Sequence, residues 1–529
     1  MLLSAGHWVA CVACVAILSQ ASATPITPNE TAALANGFDI FNAVHSALRQ
    51  WGSSLNHNGL SLFLATVPEG VTLHHGTGQA TPPPGPEWLA FDIEHSEMFA
   101  HPRMPYPPRA QKLLAHYHPR FQQQVQIGND SEAHGYLHIY RTTKPLSLLY
   151  LDGMSAGNTA MGTLDTQDLL LRGARSADIW DERGRARDIC DIVTSWGLQG
   201  VIRMEAGFEI IKCNFSDSLE LVSVNRRPEM SDPGSTGYRN VQALEFVRAL
   251  SKRYNGLGAS KVALDFSSMV SAMFFDVNIT NPNPERQYLR RLSSVTDEEL
   301  GDIRSWLKQT VHDRLEERPT VIDWQGVTDS IIGRYADRLW YMAEKISDLN
   351  LMRGEINLLL NTHIDYAAHD ERYESAKERC TEHYIRRIQP STQGDRMILA
   401  AIKSVTHSIC SILFTVRELI VEDPNADEGS LVSSKRLLKS LNARLRWTRW
   451  KECNGCGFGE VCFLPMWPFG DKDSFERPNC RNVTTVTNGW WDKNRYWDSP
   501  RFDPPGKPKT GHIADSEHDA EYDTEPRDL

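Results

Sequence analysis

The hydrophobic period changes once along this chain, and that change limits its fold more than any other feature. Between residues 71 and 226 the apolar residues fall in short runs separated by turns, at 71–74, 88–91, 136–140, 146–151, 200–204, 208–214 and 219–224, each of strand length and composition. Helical stretches near 166–171 and 186–196 interrupt them. From 240 to 447 the period becomes helical. Thr296-Asp297-Glu298-Glu299 reads as a capping box opening a helix, Ile331, Tyr335, Leu339 and Met342 make one buried stripe, and Ile398, Ile402, Val405, Ile409, Ile412, Val416 and Leu419 make another. The pattern predicts an α+β domain over 71–226 and an α-helical domain over 240–447. A helical lead-in over 24–70 precedes them, with Phe41, Val44, Leu48 and Trp51 at helical spacing.

The chain has 529 residues, of which 41% are hydrophobic, a globular composition that excludes wholesale disorder. Its net charge of −11 excludes a broad phosphate-neutralising surface, so no nucleic-acid partner is expected. An apolar stretch over 8–18 followed by Ala21-Ser22-Ala23 reads as a signal peptide over 1–23, with the mature chain starting near Thr24. An uncleaved anchor is the alternative reading of that stretch. Nothing after residue 24 reads as long and apolar enough to span a membrane, so a secreted, extracellular protein without stable membrane insertion is expected.

Eight cysteines remain beyond residue 24, an even count that an exported chain would use as four disulfides. Cys190 is expected to pair with Cys213 and Cys380 with Cys410. Cys453, Cys456, Cys462 and Cys480 would pair among themselves in one of three ways. They stand among Trp447, Trp450, Trp467, Trp490, Trp491 and Trp497, and the region 448–498 reads as a disulfide-stapled module. A four-cysteine zinc site is usually built from two close pairs, which Cys462 and Cys480 do not form, so no metal is expected. Sequons at Asn29, Asn129, Asn214, Asn278 and Asn482 fit a glycoprotein. The tail 499–529 is acidic and has too little apolar surface to fold.

Five segments carry the functional reading: Val71-Thr-Leu-His-His-Gly-Thr77, Pro86-Glu-Trp-Leu-Ala-Phe91, Gly135-Tyr-Leu-His-Ile-Tyr140, Pro145-Leu-Ser-Leu-Leu-Tyr-Leu-Asp152 and Gly207-Phe-Glu-Ile-Ile211. In this order they resemble the ADP-ribosyltransferase fold of the His-Tyr-Glu type. The resemblance implies NAD as substrate. By the family's pattern His75 would hold the nicotinamide-side ribose and the Gly76 backbone would grip the carboxamide. Trp88 or Phe91 would stack on the leaving ring, and Glu209 would stabilise the oxocarbenium-like centre. The pattern's tyrosine has no counterpart here, since Tyr106 lies too far along, and Glu205 competes with Glu209. Over most of its length the chain also resembles uncharacterised secreted proteins of filamentous fungi, through Pro86-Glu-Trp-Leu-Ala-Phe-Asp-Ile-Glu94, Leu164-Asp-Thr-Gln-Asp168, Arg334-Tyr-Ala-Asp-Arg338 and the segment from Cys453 to Pro468.

Each of these residues also has a plain reading. His-Gly-Thr is commonly only a turn, with a positive φ at the glycine and the histidine satisfied by backbone. Glu209 could face solvent on a half-exposed strand while Phe208 and Ile210 point into the core. Asp165-Thr-Gln-Asp168 would cap the helix near Thr166. His363, His369, Asp365 and Asp370 lack metal-ligand spacing on a helix, and Asp265 and Glu355 have no partner visible in sequence. Two functions follow: a secreted NAD-consuming transferase or glycohydrolase with an unknown acceptor, or a non-catalytic disulfide-bonded glycoprotein that binds a wall, a matrix or another protein. The two differ in whether His75 and Glu209 converge on one cleft.

Overall fold

A computed structural model describes residues 24–100, 134–228, 238–258, 261–317, 321–368, 371–490 and 495–497. The expected signal segment 1–23, Tyr106, Asn129, His369, Asp370, Trp491 and the tail 499–529 lie outside these residues.

Three short helices, α1 (Glu30–Ala35), α2 (Gly37–Ser46) and α3 (Gln50–Leu55), lead into strands β1 (Ser61–Val67), β2 (Thr72–Thr77) and β3 (Glu87–Ala90) and the short helix α4 (Ile93–Glu97). Strands β4 (Tyr136–Thr142) and β5 (Leu146–Leu151) follow, then a π-helical turn (Thr166–Leu171) and helix α5 (Glu182–Ser195). The hairpin of β6 (Gly200–Glu205) and β7 (Gly207–Lys212), strand β8 (Leu219–Arg226), helix α6 (Tyr238–Ser251) and strand β9 (Ala263–Ser271) complete the sheet region. Strands β1 to β9 form one mixed sheet in the order β8-β4-β2-β3-β7-β6-β5-β1-β9. Strands β5 and β6 run parallel, and the π-helical turn and α5 make the crossover between them.

All seven expected strands are present, but the sheet does not respect the boundaries 71–226. Strand β1 comes from the lead-in and pairs with β5 and β9, and β9 comes from the expected helical domain. The reason is that a short apolar run such as Leu62, Phe63, Leu64 and Ala65 has no period that separates a buried strand from a helix segment. Both faces of β6 and β7 are buried throughout, so the alternation expected of a half-exposed strand is missing there.

The remaining chain is helical: α7 (Asp297–Glu316), α8 (Trp324–Glu344), α9 (Leu349–Leu360), α10 (Arg372–Glu382), α11 (Gln393–Arg417) and α12 (Glu428–Leu445). Thr296 and Glu299 close the expected capping box on α7. Both apolar stripes lie inward, and α11 packs on α2 and β9, so the lead-in, sheet and helices share one core. The segment Gln393–Glu422 is long and apolar enough to cross a membrane, contrary to the sequence expectation. Its apolar residues are mostly buried inside the protein, which accounts for the composition of a core helix equally well.

Among the described residues the cysteines form four disulfides, Cys190–Cys213, Cys380–Cys410, Cys453–Cys462 and Cys456–Cys480. The first two are the expected pairs, and the last two select one of the three connectivities left open. They staple a small unit of β10 (Val461–Phe463), α13 (Lys472–Glu476) and β11 (Asn479–Arg481).

Candidate functional site

Strand register decides which side chains can meet. His74 stands opposite Ala90, Ala90 opposite Glu209, and Glu209 opposite Arg203. Directly opposed residues project from the same face of a sheet, and chain neighbours from opposite faces. His74 therefore shares a face with Glu209, and His75 lies on the other side. This corrects the expected constellation: His75 and Glu209 do not line one cleft.

His75 instead stands opposite His138, with its ring 5.7 Å from that of His138 and 5.6 Å from that of Phe215. It donates Nδ1–H to the Trp88 carbonyl at 2.8 Å, and burial holds its pKa down at about 4. It is a neutral imidazole satisfied by backbone. Gly76 is not in a turn; it lies within β2 and opposite Leu137. A Cβ there would come within 2.0 Å of the Ser96 carbonyl oxygen and 2.8 Å of the Ala100 nitrogen, so the glycine lets α4 settle on the sheet. Phe91 is buried in the core, and its carbonyl accepts from Lys261 at 3.0 Å, so it offers no stacking wall. Trp88 is half-buried on the Glu209 face, two residues before Ala90.

On that face Glu209 ends a file of buried charges. Arg203 donates Nε–H to Glu209 at 2.8 Å, one Nη to Gln167 at 3.0 Å and the other to Glu182 at 2.5 Å. Glu182 also accepts from Arg185, which makes a two-pronged contact with Asp168 at 2.9 Å on each prong. Arg172 donates to Asp168 as well, at 2.7 Å. The carboxylates of Asp168, Glu182, Glu205 and Glu209 and the guanidiniums of Arg185 and Arg203 are all buried. Three elements supply them: the π-helical turn, α5 and the β6–β7 hairpin.

His95 reaches the same file from α4. Its Nε2 lies 3.8 Å from Glu205, and the donor atoms of His95, Glu205 and Glu209 all fall within 4.8 Å of one another. Burial lowers the imidazole's pKa, but Glu205, helped by Glu209 and Asp92, more than reverses this and leaves it above the ordinary histidine value. Gly207 makes the room. Its φ is +114°, and a Cβ on it would stand 2.5 Å from His95 Nδ1.

Glu209 and its competitor Glu205 thus occupy one site, while His95, Arg203, Glu182 and Arg185 are partners that the sequence reading missed. The available signal was four charges, at Arg203, Glu205, Glu209 and Lys212, inside strands that are otherwise apolar. The other candidates resolve into ordinary contacts. Asp165 does not cap the π-helical turn; its carboxylate takes Arg291 at 2.7 and 3.0 Å and the Leu292 N–H at 2.8 Å. Asp265 pairs with Arg314 at 2.7 Å and Glu355 with Arg338 at 2.8 Å. His363 packs edge-on against His383.

The family described as the YPL277C N-terminal domain matches residues 30–135 and 115–233, which include Glu209 and His95. Over 82% of both chains the protein is 25% identical to the uncharacterised protein YOR389W of Saccharomyces cerevisiae. It is 34% identical to the uncharacterised protein YPL277C of the same yeast, over 36% of this chain and 43% of that one. These matches support a relation to an uncharacterised group of fungal proteins. No solved structure matches the chain.

Proposed function

We propose that this chain is an exported enzyme whose working groups are Glu205, Glu209 and His95, with Arg203 orienting Glu209. One observation carries the reading: four carboxylates and two guanidiniums are buried together on one face of the sheet. Packing that face with apolar side chains would commonly give equal or greater stability, so such a file is costly unless its charges are used. Buried charged groups gathered in this way around His95, whose pKa is held above the ordinary histidine value, favour a catalytic site over a passive scaffold. Export is supported by the apolar stretch over 8–18, the Ala21-Ser22-Ala23 site and the four disulfides.

NAD is the substrate class to assay first. Its cleavage needs a fixed carboxylate beside the reacting ribose, a part Glu209 fits, whereas His75 on the opposite face has none. Purified protein from culture medium is incubated with NAD and released nicotinamide is measured. Glu209→Gln is expected to reduce turnover on the order of 10²-fold or more, and His75→Gln to leave it near wild type. Absence of turnover in the wild type would reject NAD. Equal turnover in wild type and Glu209→Gln would reject the assigned site and favour the glycoprotein reading.

A further inference from the structure

Three protein donors from two separate elements, a nitrogen on α4 and two carboxylates on the β6–β7 hairpin, face one another in the interior. His95 is 3% exposed, Glu205 3% and Glu209 5%. The 3.8 Å between His95 Nε2 and the Glu205 oxygen is too long for a hydrogen bond. It is close to the spacing of two donors on one ion, since bonds of about 2.0 to 2.2 Å at a tetrahedral angle put neighbouring donors roughly 3.4 Å apart. His95 Nδ1 is buried without a hydrogen-bond partner among the described residues, so neither ring nitrogen of His95 has been claimed by a short contact to a described carboxylate.

We propose that His95, Glu205 and Glu209 bind one divalent transition-metal ion. This rests on reading the same file as the working site, and it departs from the sequence expectation of no metal. One imidazole and two carboxylates are a nitrogen–oxygen set suited to zinc, manganese or iron in the divalent state. The surroundings serve such a site. Arg203 holds one oxygen of Glu209 at 2.8 Å and fixes the carboxylate's plane, as outer contacts do for metal ligands. Gln50 donates to the Glu205 carbonyl at 2.7 Å and fixes the hairpin turn. Gly207 leaves the space in which the imidazole sits. Three protein ligands leave a coordination position for water or substrate, and a bound ion would supply an activated water there.

The test uses the full mature chain with its disulfides intact, stripped with chelator and titrated with Zn²⁺ or Mn²⁺ alone, by calorimetry and by metal content after desalting. One equivalent is expected, with a rise in melting temperature as the ion is added. His95→Gln and Glu205→Gln are each expected to weaken binding by about 100-fold or more. Co²⁺ titration of the wild type serves if the variants do not fold, and its absorption should report nitrogen and oxygen ligands. A Co²⁺ spectrum that stays that of the fully hydrated ion would overturn the proposal. So would failure of the wild type to bind either ion, or wild-type affinity in folded His95→Gln. Because binding is read without turnover, an inactive protein that binds the ion would count against the enzymatic reading alone.

Discussion

The two faces of the sheet at β2, β3 and β7 treat the same kinds of residue in opposite ways. On one face His75 and His138 lie among aromatic rings and give their N–H groups to the carbonyls of Trp88 and Gln79. On the other, His95 lies beside the carboxylates of Glu205 and Glu209, the second of which is gripped by Arg203. Both histidines are buried, yet the pKa of His75 falls to about 4 while that of His95 rises. Burial alone disfavours the charged form, and burial beside Glu205 and Glu209 favours it. Depth therefore does not set a histidine's role; the charge sign of its neighbours does.

Removing the arginine from the charged face should have the largest effect. Arg203→Met removes the guanidinium that donates to Glu209 and to one oxygen of Glu182, and a loss of about 3 to 5 kcal/mol is expected from denaturant unfolding. A loss below about 1 kcal/mol would show that the two faces are electrostatically alike. Gly76→Ala probes how α4 is seated. The new methyl meets backbone atoms of Ser96 and Ala100, and a loss of about 1 to 3 kcal/mol is expected, with His95 displaced from Glu205. The His95 imidazole resonances in an NMR spectrum would report that displacement.

The smallest effect belongs to the aromatic face. At pH 8, His75→Gln exchanges one neutral hydrogen bond for a weaker one, and about 1 kcal/mol is expected. Its pH dependence is more informative. The unfolded chain takes up a proton near 6.5 and folded His75 only near 4, so the wild type loses stability as pH falls through that window, by about 1.4 kcal/mol per pH unit from this residue. His75→Gln should flatten that loss between pH 6.5 and 4. An unchanged acid slope, measured by urea unfolding at several pH values, would show that His75 is not the neutral, backbone-held group described.

How far the sequence reached follows from the same register. Each strand from β2 to β8 was legible because β-branched and aromatic residues cluster in runs of strand length. Glu209 was legible as a carboxylate on a closing strand. The face it occupies was not, because that depends on β2, β3 and β7 pairing in one register, and a shift by one residue reverses every side chain. Arg203 and Glu209 are six residues apart and meet only because the chain reverses at Ala206, while Asp168 and Glu182 come from the crossover and His95 from α4. Local pattern carries no information about such distant arrivals. β1 and β9 fall outside the expected α+β bounds for a related reason, since the place of β1 between β5 and β9 is fixed by partners far along the chain.

The Cys190–Cys213 bond joins α5, which carries Glu182 and Arg185, to the chain just beyond β7, which carries Glu209. Proteins open locally in cooperative pieces, and a crossover helix on the side of a sheet is the kind of piece that detaches first. Here it cannot swing away by itself. The bond ties α5 and the end of the hairpin into a single opening unit, so amide protons in the helix are expected to exchange with solvent at the slow pace of the sheet interior, and reduction to release the helix to exchange on its own.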